Sequence, residues 1–151
     1  MKNKVLAFTA FLVFCFGNLA IGQEISEALG TAIKLGETST LEELVKEEDL
    51  NRCFEVKSSS YNYLAISVKM ESLEALKFFV EKGANLESIC TGKTALMYCA
   101  KYGHLDMAKY LLEKGANQET VNSGKTALDY AVKYEQKEVE DLLRNYDKTD
   151  K

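Results

Sequence analysis

From residue 25 onward, apolar residues return every three or four positions. Ile25, Ala28, Leu29, Ala32 and Ile33 fall on one helical face, and Gly36 suits the end of that helix. Ser39 or Thr40 suits the cap of a second helix, whose apolar positions are Leu41, Leu44 and Val45. The pattern fades into Glu47-Glu48-Asp49, and Leu50-Asn51 opens a polar connector through Lys57-Ser58-Ser59-Ser60. The same order of parts then returns. Leu64, Ser67 and Val68 face inward on a short helix, and Lys69-Met70-Glu71-Ser72 breaks it. Leu73, Leu76, Phe79 and Val80 line a second helix, and Gly83 suits its left-handed stop. Residues 91–117 and 124–145 repeat the alternation twice more.

The recurrence has a fixed period. Gly83-Ala84-Asn85 and Gly115-Ala116-Asn117 lie 32 residues apart, and so do the two Gly-Lys-Thr-Ala-Leu pentads at 92–96 and 124–128. Self-similarity at such a period marks a stack of small units, each unable to bury its own apolar face. Gly92, Thr94-Ala95-Leu96, Cys99-Ala100, Gly103-His104, Leu111-Leu112 and Gly115-Ala116 are similar to the ankyrin repeat in type and spacing. Two positions depart from that family. Ala95 stands where it has proline, and Met97 and Asp129 stand where it has histidine. The last unit also has Glu135-Gln136 in place of the Gly-His pair.

The resemblance implies an all-α ankyrin-repeat solenoid of about four helix-turn-helix repeats with short connectors. It spans residues 23–146, with repeats at approximately 25–57, 58–90, 91–122 and 123–146 and a polar tail at 147–151. Helices of roughly 8–10 residues are marginal alone in water. Stacking the small residues Cys99, Ala100 and Ala131 against neighbouring Leu and Phe positions supplies the core. The charged second helix of the last unit (Lys137, Glu138, Glu140, Asp141) shields the end of the stack.

Residues 1–22 follow a different pattern. Lys2 and Lys4 precede an apolar run at 5–16, and Ala20-Ile21-Gly22 offers small residues for cleavage before Gln23. This reads as a secretory signal peptide, since so short a run cannot span a bilayer. Phe14 before Cys15 argues against a lipoprotein signal. The expectation is an exported protein, periplasmic or secreted, that is monomeric and not membrane-bound after cleavage. The net charge of −4 becomes −6 without Lys2 and Lys4. That balance speaks against nucleic acid as a partner, which needs a basic face.

Export changes how the cysteines are read, because disulfides persist outside the cytosol. Cys53, Cys90 and Cys99 remain after cleavage. Cys53 and Cys90 both follow a unit's second helix, in connectors. Equivalent points of stacked repeats lie roughly 10 Å apart, beyond a disulfide's reach. The longer first connector lets Cys53 bend across, so a Cys53–Cys90 bridge is expected. Cys99 holds a core position as a thiol.

No cofactor, metal or catalytic residue is expected. Gly-Lys-Thr occurs twice, but a phosphate loop needs a second glycine five residues earlier, where Glu87 and Glu119 stand. His104 is the sole histidine and belongs to the repeat's own Gly-His pair.

A second periodicity lies inside the first. Lys34-Leu35, Lys69-Met70, Lys101-Tyr102 and Lys133-Tyr134 sit at one repeat phase, just before the break between helices. The resemblance places this phase on the concave groove, together with Lys93 and Lys125. Lysines that steer and apolar side chains that supply contact area suit a protein-binding surface. The candidate residues are Lys69, Met70, Lys93, Lys101, Tyr102, Lys125, Lys133 and Tyr134. The expected function is non-catalytic binding of a protein with an acidic surface. Two more specific roles stay open: an immunity or inhibitor protein against an exported toxin or enzyme, and an accessory factor for a periplasmic oxidative-stress enzyme.

Overall fold

A computed structural model describes residues 25–146. The expected signal peptide at 1–22 and the expected polar tail at 147–151 lie outside the described residues.

Among the described residues, eight α-helices follow one another in pairs: α1 (Glu27–Leu35) with α2 (Thr38–Leu44), α3 (Tyr63–Lys69) with α4 (Leu73–Glu81), α5 (Ala95–Tyr102) with α6 (Leu105–Glu113), and α7 (Ala127–Lys133) with α8 (Lys137–Asn145). Each helix packs on its pair-mate. The first helices α1, α3, α5 and α7 also pack on one another in chain order, as do the second helices α2, α4, α6 and α8. The result is a two-layer solenoid with one continuous core. Ala100, Ala108 and Ala131 are fully buried where the layers meet, and Leu76, Leu96, Leu111 and Val139 fill the space between them.

The local chemistry explains where the first helices start. Asn62, Thr94 and Thr126 are N-caps of α3, α5 and α7; each side chain accepts a hydrogen bond from a backbone N–H three residues on, at 2.8, 3.3 and 3.3 Å. Such a bond satisfies one of the four donors a helix start leaves open. The Gly-Lys-Thr segments are therefore a turn followed by a cap. Gly92 and Gly124 take φ of 73° and 72°, and the threonine closes the helix.

The turn between paired helices uses left-handed backbone in all four repeats, at Gly36, Glu71, Gly103 and Glu135. Glutamate at φ 58° (Glu71) and 57° (Glu135) is strained where glycine is not. The last repeat thus keeps the turn geometry after losing the glycine. Glu135→Gly is expected to stabilise the protein by about 0.5–1 kcal/mol, the left-handed penalty less the extra entropy of glycine, as read in a urea melt.

Three sequence expectations need correction. Neither Ser39 nor Thr40 caps α2: the helix begins at Thr38 after Glu37, and Thr40 instead donates to the Glu37 carboxylate at 3.3 Å. Ala28 and Leu44 lie on the exposed side of α1 and α2, so the first pair buries a narrower stripe than its spacing implies. The polar connector at 57–60 is ordered. Phe54–Val56 (β1) and Ser59–Tyr61 (β2) form an antiparallel hairpin, with Phe54 opposite Tyr61. That hairpin crosses the expected boundary between the first two repeats.

Candidate protein-binding face

The hairpin and the first helices form one face. Its geometry begins with how β1 and β2 are held against the next connector. Cys53 and Cys90 are joined by a disulfide with Cα atoms 5.6 Å apart. This is well inside the spacing expected for equivalent points of adjacent repeats, because the hairpin carries Cys53 across the gap. The Ser60 N–H donates to Thr91 Oγ1 at 2.8 Å, and Asn62 Nδ2 donates to the Ser88 carbonyl at 3.0 Å. Further along, the Asn117 N–H donates to the Glu87 carboxylate at 2.8 Å, tying the next pair of connectors.

Beneath the hairpin lies a chain of stacked rings. Phe54 stacks on Tyr63 at 4.6 Å, Tyr63 on Phe79 at 4.5 Å, and Phe78 meets Phe79 edge-on at 5.3 Å between ring centres. Burial pushes the Tyr63 phenol up to about 12, assisted by the nearby Asp49 carboxylate.

On the outward side, lysines and tyrosines alternate. Lys69 Nζ lies 4.7 Å from the centre of the Tyr61 ring, 5.5 Å from Tyr102 and 5.9 Å from Tyr98. It also donates to the Tyr102 hydroxyl at 3.3 Å. Lys93 lies 5.6 Å from Tyr98 and 5.0 Å from Tyr130. Lys101 sits between Tyr102 (5.1 Å) and Tyr134 (5.4 Å), and Lys133 lies 5.3 Å from Tyr134. Tyr98 stacks on Tyr102 and Tyr130 on Tyr134, at 6.1 and 6.5 Å. Lys69, Lys93 and Lys101 each bridge rings of two adjacent repeats, so the lattice is continuous from the hairpin to the last repeat.

The electrostatics follow from this packing. Desolvation pulls the Lys69 pKa down, but the hydrogen bond to Tyr102 and the attraction of Tyr102 and Tyr61 outweigh it, and the net shift is upward. Tyr61 moves the other way. A hydrogen bond from Ser59 lowers its phenol, burial opposes this, and the Lys69 charge adds to the lowering. Lys69 is thus held charged. Each exposed cation–ring contact is worth about 0.5–1 kcal/mol, enough to fix the ammonium positions without covering them.

Of the candidate residues, Lys69, Lys93, Lys101, Tyr102, Lys133 and Tyr134 come together in this lattice. Tyr102 and Tyr134 keep 37% and 38% of their surface exposed, which leaves ring area for a partner. Met70 is also exposed, and with Ile25, Val56, Tyr61, Ile66 and Lys69 it lines an open apolar pocket of about 70 Å³. Lys125 stands apart from the rings. Its neighbour is Asp129, whose carboxyl is held below the usual range first by the Thr126 backbone N–H, then by the Thr126 hydroxyl, with a smaller contribution from Lys125. Sequence reasoning missed Tyr61, Tyr98 and Tyr130. A signal for two of them was present: Tyr98 and Tyr130 precede Tyr102 and Tyr134 by four residues, in both copies.

Among the described residues no group of three or more His, Cys, Asp or Glu side chains could hold a metal ion, and no helix is long and apolar enough to cross a membrane. His104 is half-buried, its ring tilted 5.9 Å from Tyr102. Cys99 is fully buried and its thiol pushed up by desolvation, so it stays protonated and inert.

Residues 85–151 match a family model described as ankyrin repeats in three copies. This segment belongs to the ankyrin-repeat family. No individual curated protein matches it. The α3–α4 pair has the same helix order and left-handed turn as the two pairs that follow, so the ankyrin architecture continues upstream of the matched segment. Ankyrin repeats are generally protein–protein interaction modules and non-catalytic. The lattice has to be read in that light.

Proposed function

We propose that this protein is exported and binds a partner protein of acidic surface through its first-helix face, the concave side in ankyrin stacks. The observation that carries the reading is the lysine–tyrosine lattice. It places fixed positive charges and half-exposed aromatic rings on one surface of a chain whose net charge is −4. Lysines so placed speed encounter with an acidic partner, and the tyrosines supply rigid contact area at low entropic cost. Export is supported by the charge and apolar pattern of residues 1–22 and by the Cys53–Cys90 bridge, which suits an oxidising compartment. The inhibitor and accessory roles would both use this face, and differ only in the partner.

The test is a variant combining Lys69→Ala, Lys101→Ala, Tyr102→Ala, Lys133→Ala and Tyr134→Ala. All five side chains lie outside the buried core, so the helical circular dichroism should be kept. Capture of the partner from envelope or secreted fractions should fall by at least about tenfold, as expected when several anchor residues are removed. Undiminished capture by a folded variant would refute the reading.

A further inference from the structure

We infer that the segment covering this face is an extended acidic stretch of the partner in polyproline-II conformation, with a carboxylate at every third residue. The inference rests on the reading above and narrows it to a partner geometry.

Charge comes first. Ion pairs among the described residues include Arg52–Asp49, Lys77–Glu74, Lys82–Glu42, Lys137–Glu140 and Arg144–Glu140. Four lie on second helices and one at the short helical turn Glu47–Asp49. Lys69, Lys93, Lys101 and Lys133 take part in none of them. Their ammonium groups rest against rings, which orient the charge without neutralising it. A carboxylate is the group that completes such a site.

Spacing comes second. Lys69, Lys101 and Lys133 occur once per repeat, 32 residues apart, at the C-terminal ends of α3, α5 and α7. Packed helices lie about 8–10 Å apart, so the ammonium groups recur at about that pitch. A polyproline-II helix has three residues per turn and rises 3.1 Å per residue, so its same-side residues recur about every 9 Å. A β-strand repeats its face about every 6.6 Å and drifts out of register by the second lysine.

The rings come third. Between the lysines, the paired rings Tyr98–Tyr102 and Tyr130–Tyr134 stack at interplanar angles of 12° and 16°. In each pair the inner ring, Tyr98 or Tyr130, is buried and backs the exposed outer ring, Tyr102 or Tyr134, on which the other two residues of each polyproline-II turn, ideally prolines, can pack.

The probe is a fluorescein-labelled peptide of Glu-Pro-Pro triplets, titrated by fluorescence anisotropy with the intact chain from residue 23 to 151. It should bind about tenfold or more tighter than a peptide of the same composition with its glutamates in one block, since only periodic charge meets all three lysines. The affinity should fall as salt rises from about 50 to 300 mM. It should also fall on the folded triple variant Lys69→Ala, Lys101→Ala and Lys133→Ala. Equal binding of the block peptide, tighter binding of a helical peptide with glutamate at every seventh residue, or tighter binding of a sulfated polysaccharide would each overturn the inference. So would failure of every peptide. If a partner still cross-linked to Tyr102 and Tyr134 in that last case, the binding face would stand and the segment geometry alone would fall.

Discussion

Phe79→Ala is expected to lower the unfolding free energy by about 4 kcal/mol, among the larger effects a single core truncation produces. Phe79 is fully buried on α4, stacked on Tyr63 and edge-on to Phe78. Through Tyr63 the stack reaches Phe54 in the hairpin, so the ring joins the first connector, a first helix and a second helix. Removing it costs the transfer energy of the ring and leaves a cavity that its ring neighbours Tyr63 and Phe78 cannot collapse to fill. The effect is also local. Stability in a repeat stack is a sum of unit and interface contributions, and the first pair buries only Leu29, Ala32, Ile33 and Leu41. Hydrogen exchange in the variant should therefore show α1, α2 and the hairpin opening ahead of α5 to α8. A loss below about 1 kcal/mol in a urea melt would show that the aromatic stack does not hold the first half together.

Removing the disulfide is the second large effect. Cys53 and Cys90 are 37 residues apart, and closing a loop of that length constrains the unfolded chain by about 3–4 kcal/mol. The paired change Cys53→Ser and Cys90→Ser should lower stability by that amount relative to the oxidised protein. The fold should still form, because Ser60–Thr91 and Asn62–Ser88 keep the hairpin tied by hydrogen bonds. What should loosen is the hairpin that carries Tyr61 to Lys69. The same variant should thus bind a partner more weakly, with faster amide exchange at residues 54–61. Equal stability of the two forms would mean that the bridge adds nothing the hydrogen bonds do not already supply.

The fold was legible because its signals repeat. One period of 32 residues places the turns, the threonine caps and the small core residues twice over, and the weaker upstream units can be aligned to them. The hairpin at 54–61 was not legible. Its strands are three residues each, too short to display alternation, and its turn uses Lys57 at φ 59° in place of a glycine or asparagine. Lys57-Ser58-Ser59-Ser60 reads as loop because nothing local marks it otherwise. Tertiary ties to Thr91 and Cys90 order it.

The candidate face was half legible for a related reason. Lysine–tyrosine pairs at one repeat phase are visible in the sequence, but Tyr61 reaches Lys69 only through the hairpin. Lys93 reaches Tyr130 only through the stacking of adjacent repeats. Lys125 occupies the same repeat position as Lys93, yet Asp129 stands where the previous repeat has Met97, and Lys125 contributes to the lowering of its carboxyl instead of resting on a ring. Neighbours across repeats, and not the motif alone, decide which lysine joins the lattice.

The central claim is that the first-helix face, and not the second-helix layer, meets the partner. The most direct measurement places a photo-reactive phenylalanine at Tyr102 or Tyr134 in one set of proteins, and at Lys109 or Glu113 on α6 in another, then cross-links within envelope or secreted fractions. The account predicts one discrete acidic protein joined from Tyr102 and Tyr134 and not from Lys109 or Glu113. Cross-links that form from α6 and not from the tyrosines would contradict it.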